Sequence, residues 1–257
     1  VISSGKHGTA SPHPYSRGGY YRRNTHGYNK LDGSSPIAGP HQRYAKQLNF
    51  SSDGAWFITS GIDRTVNVWS MADLARPCRA LEHEGEGIAD AVISDDDRCL
   101  ATWNGSTITV WELGTGKPLS GKLAHSSVVW RAVFSPDGRQ LLAACHDGTA
   151  ALWDWTTNQP ACPLMNHGEG LNDCGFVGDG GWLITVGTSS AQFWCPRTGR
   201  WVAPPYDLDG GGVELALPKD GHWALVSSAR FHTDPTLGRR IDAIDLTFLQ
   251  PGDELDS

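Results

Sequence analysis

Apolar residues fall at every second position just ahead of four tryptophans: Val66 and Val68 before Trp69, Ile108 and Val110 before Trp111, Ala150 and Leu152 before Trp153, Ala191 and Phe193 before Trp194. A period of two puts these side chains on one face of a pleated strand, so each run predicts a strand with a buried face. Turn sequences lie between the runs. In Phe134-Ser135-Pro136-Asp137-Gly138 the proline presets φ at one corner and the glycine accepts the positive φ that closes the hairpin; Ser52-Asp53-Gly54 and Lys219-Asp220-Gly221 repeat the idea.

The pattern recurs at a fixed step. His41, His83, His125 and His167 are 42 residues apart, Trp69, Trp111 and Trp153 keep the same step with Trp194 following after 41, and Asp53, Asp95, Asp137, Asp179 and Asp220 run at 42, 42, 42 and 41. Four short strands per repeat cannot bury both of their faces alone, so successive repeats must stack, and radial stacking about an axis makes a propeller.

The run Asp147-Gly148-Thr149-Ala150-Ala151-Leu152-Trp153-Asp154, with the Ser135-Pro136-Asp137-Gly138 turn, resembles the WD-repeat family, and the resemblance extends over nearly all of the chain. It implies an all-β propeller of four-stranded antiparallel blades with each Trp on a third strand. Departures exist: the family's Gly-His opener reads Pro40-His41, Glu82-His83, Ala124-His125 and Asn166-His167, and only Trp153 is followed by Asp. The resemblance also implies a hydrogen-bonded set of His, Ser/Thr, Asp and Trp in each blade. His41, Ser60, Asp63 and Trp69 fit it in full, and His125, Asp147 and Trp153 in part. These are read as satisfied packing groups rather than ligands or bases. Counting from an incomplete first unit, the third and fifth units have Gly105 and Thr188 in place of the Asp six residues before the Trp, and are expected to be less firmly pinned.

Residues 41–257 thus read as five blades, the last divergent with Ile244 in the Trp place, and Gly8-Thr9-Ala10 repeats Gly148-Thr149-Ala150, which makes residues 1–40 an incomplete blade. Five units and a fraction imply a compact ring or part of a seven-bladed one. Two insertions interrupt the pattern: 14 extra residues within 11–32, and eight within Ala229 to Arg240.

Composition agrees with short strands and tight turns: 31 Gly, 15 Pro and 11 Trp. The net charge of −7 argues against nucleic-acid backbone as the main ligand, which needs clustered cations. Residues 1–40 carry +4 (Lys6, Arg17, Arg22, Arg23 and Lys30 against Asp32), leaving −7 minus 4, or −11, on the rest. Their mix of Tyr15, Arg17, Tyr20, Tyr21, Arg22, Arg23, Tyr28 and Lys30 could stack on bases, but the surrounding Gly, Ser, Asn and Pro favour a solvated loop. Six cysteines without a CxxC pair support neither a zinc site nor a disulfide framework and read as reduced, buried thiols. No apolar run approaches the roughly 18 residues of a membrane helix, and Val1-Ile2-Ser3-Ser4 lacks the build of a signal peptide. The expectation is a soluble, cytoplasmic chain that is a piece of a longer product, since it begins at Val1.

No GxSxG, HExxH or phosphate loop occurs, and Asp207-Leu208-Asp209-Gly210 lacks the further acidic ligands of a calcium loop, so neither cofactor nor metal is expected. Two functions remain: a non-catalytic scaffold or regulatory module for a protein partner or peptide segment, or the accessory propeller of an enzyme, such as a protein kinase, whose catalytic domain lies upstream. The stretch Thr115 to Gly121 leading into Ala124-His125 resembles bacterial multi-repeat members of the family, which often hang from signalling domains. A position recurring once per blade forms a ring about the axis, and the one five residues after each His is mixed: Lys46, Ile88, Trp130, Asn172. Trp130 is either an interface anchor or a residue packed on Trp103 or a neighbouring blade. The strand order puts the Ala229–Arg240 insertion at the same end as this ring and His146. Arg230, Arg239, Arg240 and Lys46 then form a cationic rim about Trp130, suited to an acidic partner segment.

Overall fold

The computed structural model describes residues 45–61, 63–74, 77–83, 90–208, 211–218, 221–229 and 240–249; the incomplete first unit, its basic loop and His41 lie outside them. The described residues hold no helix and form five antiparallel sheets in chain order. The Trp69 sheet comprises β1 (Ala45–Phe50), β2 (Trp56–Gly61), β3 (Thr65–Ser70) and β4 (Arg79–Glu82). The Trp111 sheet is β5 (Asp90–Ile93), β6 (Cys99–Asn104), β7 (Thr107–Glu112) and β8 (Leu123–Ala124). The Trp153 sheet is β9 (Val129–Phe134), β10 (Gln140–Cys145), β11 (Thr149–Asp154), β12 (Gln159–Pro160) and β13 (Met165–Asn166). The Trp194 sheet is β14 (Leu171–Val177), β15 (Trp182–Gly187), β16 (Ser190–Trp194) and β17 (Tyr206–Asp207); β18 (Gly211–Ala216), β19 (Trp223–Ala229) and β20 (Arg240–Asp245) complete the set.

Each Trp lies on the third strand of its sheet, and Ile244 takes the matching place on β20. Two sheets differ from the expected four strands. The Ile244 sheet shows three among the described residues, and the outer strand of the Trp153 sheet is split into β12 and β13, both paired to β11. Pro163, lying between the two pieces, has no N–H to give to a continuous ladder.

The sheets stack through both faces. Innermost strands approach in order, β1 to β5, β5 to β9, β9 to β14 and β14 to β18. Side chains from neighbouring sheets fill the space between them. Ile58, Val66 and Val68 meet Ala91 and Leu100; Ile108 and Val110 meet Leu141 and Ala143; Leu142 and Leu152 meet Leu171 and Trp194; Ile184 and Phe193 meet Val226 and Ile244.

The turns between first and second strands follow the serine rule: Ser51 Oγ donates to Asp53 and Ser135 Oγ to Asp137, both at 2.6 Å, and the next residues, Gly54 and Gly138, take φ of +70° and +72°. In the Trp111 sheet the acid is Asp96, bound by Ser94 Oγ at 2.6 Å, and not the Asp95 of the sequence ruler. The physical reason is the turn itself: the acid must stand two after the serine and one before the positive-φ residue, here Asp97 at +58°. Being Asp rather than Gly, Asp97 has a carboxylate to spare, and it accepts from the N–H groups of Ser52 (2.8 Å) and Asp53 (3.0 Å) in the neighbouring turn. Among the cysteines, Cys78 departs from the expected burial: it is exposed, because it lies ahead of the outer strand β4, while the other five are buried thiols.

Trp69 is 2% exposed, stacks on Phe57 with ring centroids 5.6 Å apart and donates to Thr59 Oγ1. Trp69→Ala removes all three contributions and is expected to destabilise the chain by about 3–5 kcal/mol; equilibrium denaturant unfolding of the variant beside the parent checks this.

Candidate interaction site

Three of the mixed-ring positions share a backbone feature. The register skips from Ala45 to Gln47 on β1, from Val129 to Arg131 on β9 and from Leu171 to Asp173 on β14, so Lys46, Trp130 and Asn172 are each the extra residue of a β-bulge. The same shift falls at Val213 on β18. A bulged residue is left out of the ladder and its side chain is re-aimed. Ile88 lies outside the described residues.

Trp130 is the large side chain of this series. It is 52% exposed, its ring centroid lies 6.3 Å from that of His146, and Val128, two residues before, is 50% exposed. The His146 N–H donates to the Val128 carbonyl at 2.9 Å, which ties the β10–β11 turn to the start of β9. Trp103 is buried in the core between the Trp111 and Trp153 sheets, whereas half of Trp130 faces solvent.

The next ring inward is polar and joins the sheets. Arg131 Nε lies 3.3 Å from Asp173 Oδ1, and the other Asp173 oxygen accepts from the Leu215 N–H at 2.8 Å, so one buried carboxylate links three sheets. At the corresponding place in the Trp111 sheet, Asp90 accepts from Ser60 Oγ at 3.4 Å. Ser60 therefore reaches toward the next sheet, and the acceptor for Trp69 is its neighbour Thr59, at 3.1 Å.

Threonine at this place recurs. Trp111 Nε1 donates to Thr102 (2.7 Å) and Trp194 Nε1 to Thr185 (2.8 Å). Since an indole can only donate, the Thr185 hydroxyl is free to donate onward to His167 Nδ1, 2.7 Å away. His167 Nε2 then faces Glu169 at 3.3 Å and Ser190 at 3.1 Å. Glu169 accepts further bonds from Thr188, from Ser189 N and Oγ, and from Ser190 N and Oγ. Burial pushes its carboxyl up, but these donors together hold it down to about 2.

The expected weakness of the fifth unit is thus overturned. Glu169, from the loop after His167, replaces the missing turn Asp. Gly187 makes room: a Cβ there would lie 2.5 Å from Glu169 Oε1 and 2.6 Å from His167 Nε2.

The Trp153 sheet, which keeps the family Asp, is the incomplete one. Ala143 stands where the other sheets have Thr, and Trp153 Nε1 and His125 Nε2 are buried with no hydrogen-bond partner. The two rings meet edge to face at 5.7 Å, and His125 Nδ1 is 3.6 Å from Cys145 Sγ. Asp147 serves its own loop, accepting from Thr149 N and Oγ1 and from Ser126 Oγ. Burial lowers His125 to about 4, with the Asp147 charge opposing. Asp63 likewise accepts from Thr65 N and Oγ1.

Of the expected cationic rim, Arg230 and Arg239 lie outside the described residues, and Lys46 and Arg240 are described only as strand positions. β19 ends at Ala229 opposite Gly211, the first residue of β18, and Arg240 opens β20. The end of β19 and the start of β20 therefore lie at the end where β9 starts, next to Trp130. The charged residues described in the second-to-third-strand turns at this end are Asp63, Arg64 and Asp147, with Glu169 in the loop after His167. The sequence reading missed Glu169, Thr185 and Val128. The threonines had a ruler, Thr59, Thr102 and Thr185 standing nine or ten residues before their Trp; Glu169 and Val128 had none.

No group of metal-binding side chains occurs among the described residues, nor any helix long and apolar enough to cross a membrane. The family described as WD domain, G-beta repeat matches residues 39–70 and 116–154. Those two stretches are similar to WD repeats. Among curated relatives it is similar to the rat (Rattus norvegicus) apoptotic protease-activating factor 1, 25% identical over 56% of this chain and 11% of that protein. It is also similar to the LST8 homolog of Drosophila pseudoobscura pseudoobscura, 26% identical over 44% of this chain and 52% of that protein, and to human (Homo sapiens) coronin-7, 27% over 60% and 17%. The chain spans about half or less of the length of these WD-repeat relatives.

Thr185→Val removes the shared hydroxyl at nearly constant volume and orphans Trp194 Nε1 and His167 Nδ1, at an expected cost of about 2–4 kcal/mol. Ala143→Ser offers Trp153 the missing acceptor and is expected to stabilise by about 1 kcal/mol. Chemical denaturation of both variants measures the two signs. With a folded pKa near 4 against 6.5, His125 contributes stability that is complete above pH 6.5 and fades as pH falls toward 4. Burial lowers His83 and His167 in the same direction. Unfolding free energy followed down this range should fall, and His125→Gln should flatten the decline.

Proposed function

We propose that this WD-repeat chain is a non-catalytic interaction module that holds a protein partner or peptide segment at the end bearing Trp130. The observation that carries the reading is the bulged ring: a half-exposed Trp130, beside Val128 and His146 and in series with Lys46 and Asn172, at the end where the second-to-third-strand turns gather. Trp is enriched among residues that dominate binding, and a large apolar surface at a rim is seldom left without use. Arg240, the first residue of β20, stands at the same end. The WD-repeat relatives, far longer than the matched region in two of the three cases, support a regulatory or scaffolding place for such a module. The bacterial multi-repeat resemblance rests on the Thr115 to Gly121 connection alone, since the relatives named are animal proteins.

The test is affinity capture with the full chain, its Trp130→Ala and Arg239→Ala variants, and Trp223→Ala. Trp223 is a matched control, 43% exposed at the start of β19 and therefore at the opposite end. Trp130→Ala should lose the partner, by about 2 kcal/mol or more of binding energy, and Trp223→Ala should retain it. Retention by both Trp130→Ala and Arg239→Ala would overturn the reading.

A further inference from the structure

The geometry points to a partner segment that is basic: we infer that Trp130 and Asp147 together receive a cationic side chain, an arginine best of all. This rests on the reading of the Trp130 end as the recognition surface and adds the chemistry of what binds there.

Three features of the site lead to this. Trp130 is raised on a bulge with about half of its surface in water, and His146 lies against it at 6.3 Å. An indole face attracts a cation through its quadrupole, and a guanidinium stacks on it while keeping its edge donors free. Asp147 follows His146 directly and is exposed. WD-repeat resemblance would have this carboxylate pin His125, but it does not: His125 Nε2 is left without a partner, and Asp147 is oriented instead by Thr149 through Oδ1 and by Ser126 through Oδ2. Burial opposes its ionisation, but the bonds from Thr149 and Ser126 bring its pKa below the usual carboxylate range, so it is a fixed anion at neutral pH. Oδ1 is filled by its two bonds from Thr149, and Oδ2, with one bond from Ser126, retains capacity for one more donor. Next to it, the Glu169 backbone packs on Gly148, and Gly170 on the His146 carbonyl, while the Glu169 carboxylate is taken up by Thr188, Ser189 and Ser190 of the next sheet.

The remaining charge agrees. Residues 41–257 carry −11 in all, a field that draws cations and repels acidic segments. Arg131, the cation next to Trp130 in sequence, is already paired with Asp173. Val128 offers an apolar neighbour for the aliphatic stem of an arginine.

The experiment is calorimetric titration of the full chain with three peptides of equal length that carry Arg, Gln or Glu at the same places. The Arg peptide should bind more tightly than the Gln peptide, the Glu peptide least, and the Arg preference should shrink as salt is added. Trp130→Ala, Trp130→Leu and Asp147→Asn should each weaken the Arg peptide by about 2- to 30-fold, the range of a cation on an aromatic face. Trp223→Ala should leave it unchanged. The leucine variant separates a cation site from a greasy contact: full binding by Trp130→Leu overturns the inference, as does preference for the Glu peptide, the result expected if Lys46, Arg230, Arg239 and Arg240 set the chemistry. Asp147→Glu keeps the charge should Asp147→Asn lower the melting temperature, and it should retain the Arg preference. If Trp130→Ala loses a captured partner while the peptides bind alike, the basic-segment inference fails and the recognition surface stands; if capture also survives, both fail.

Discussion

A sheet with a neighbour on either side is apolar on both faces, and everything else in the structure follows from the need to cover the two at once. On β3, Val66 and Val68 turn toward the Trp111 sheet while Trp69 lies on the other face against Phe57. A strand of this kind alternates not between core and water but between two cores. No single repeat can satisfy that requirement, so stability is shared between neighbours, as in other repeat architectures. The polar groups trapped by stacking must then be satisfied across sheet boundaries. Asp173 does so with Arg131 on one side and Leu215 on the other, and Asp97 does so for the neighbouring Ser52-Asp53 turn.

The repeated set of His, Thr and Trp shows how loosely one template can be filled. In the Trp194 sheet the relay runs complete from indole to hydroxyl to imidazole to carboxylate, with the acid drawn from another loop. In the Trp153 sheet the loss of a single hydroxyl, at Ala143, leaves both rings to pack on each other edge to face. A turn acid matters to its own loop first, and only with an additional bond does it pin the imidazole. Asp147 has the first role and not the second.

Strands and their order were legible because burial imposes a period of two and stacking imposes a step of 42, and both leave marks on residue type. The third-strand place of each Trp came from the resemblance to WD repeats, not from the period. The acid ruler slipped by one at Asp95 because the sequence Asp95-Asp96-Asp97 offers three candidates, and only the turn geometry, with Asp97 at positive φ, selects among them. Glu169 was invisible for a different reason. It replaces an Asp that the repeat places some twenty residues later, and the substitution works only because the chain folds that loop over Gly187. The bulges at Lys46, Trp130 and Asn172 leave no signature of their own, since a skipped residue can be of any type. The mixed composition of that ring was the trace they left.

A residue that takes no part in the ladder is also released from its constraints. A bulge position need neither pair across strands nor fill the space between sheets, so Lys, Trp, Asn and Val occupy the same place without cost to the architecture. Such positions behave as an alphabet written on a fixed page: each can be changed by a single codon, independently of the others, while the scaffold stays the same. A family that duplicates its repeats copies this freedom with every copy. Divergence in what is recognised can then accumulate at one site per blade, long before the fold registers any change.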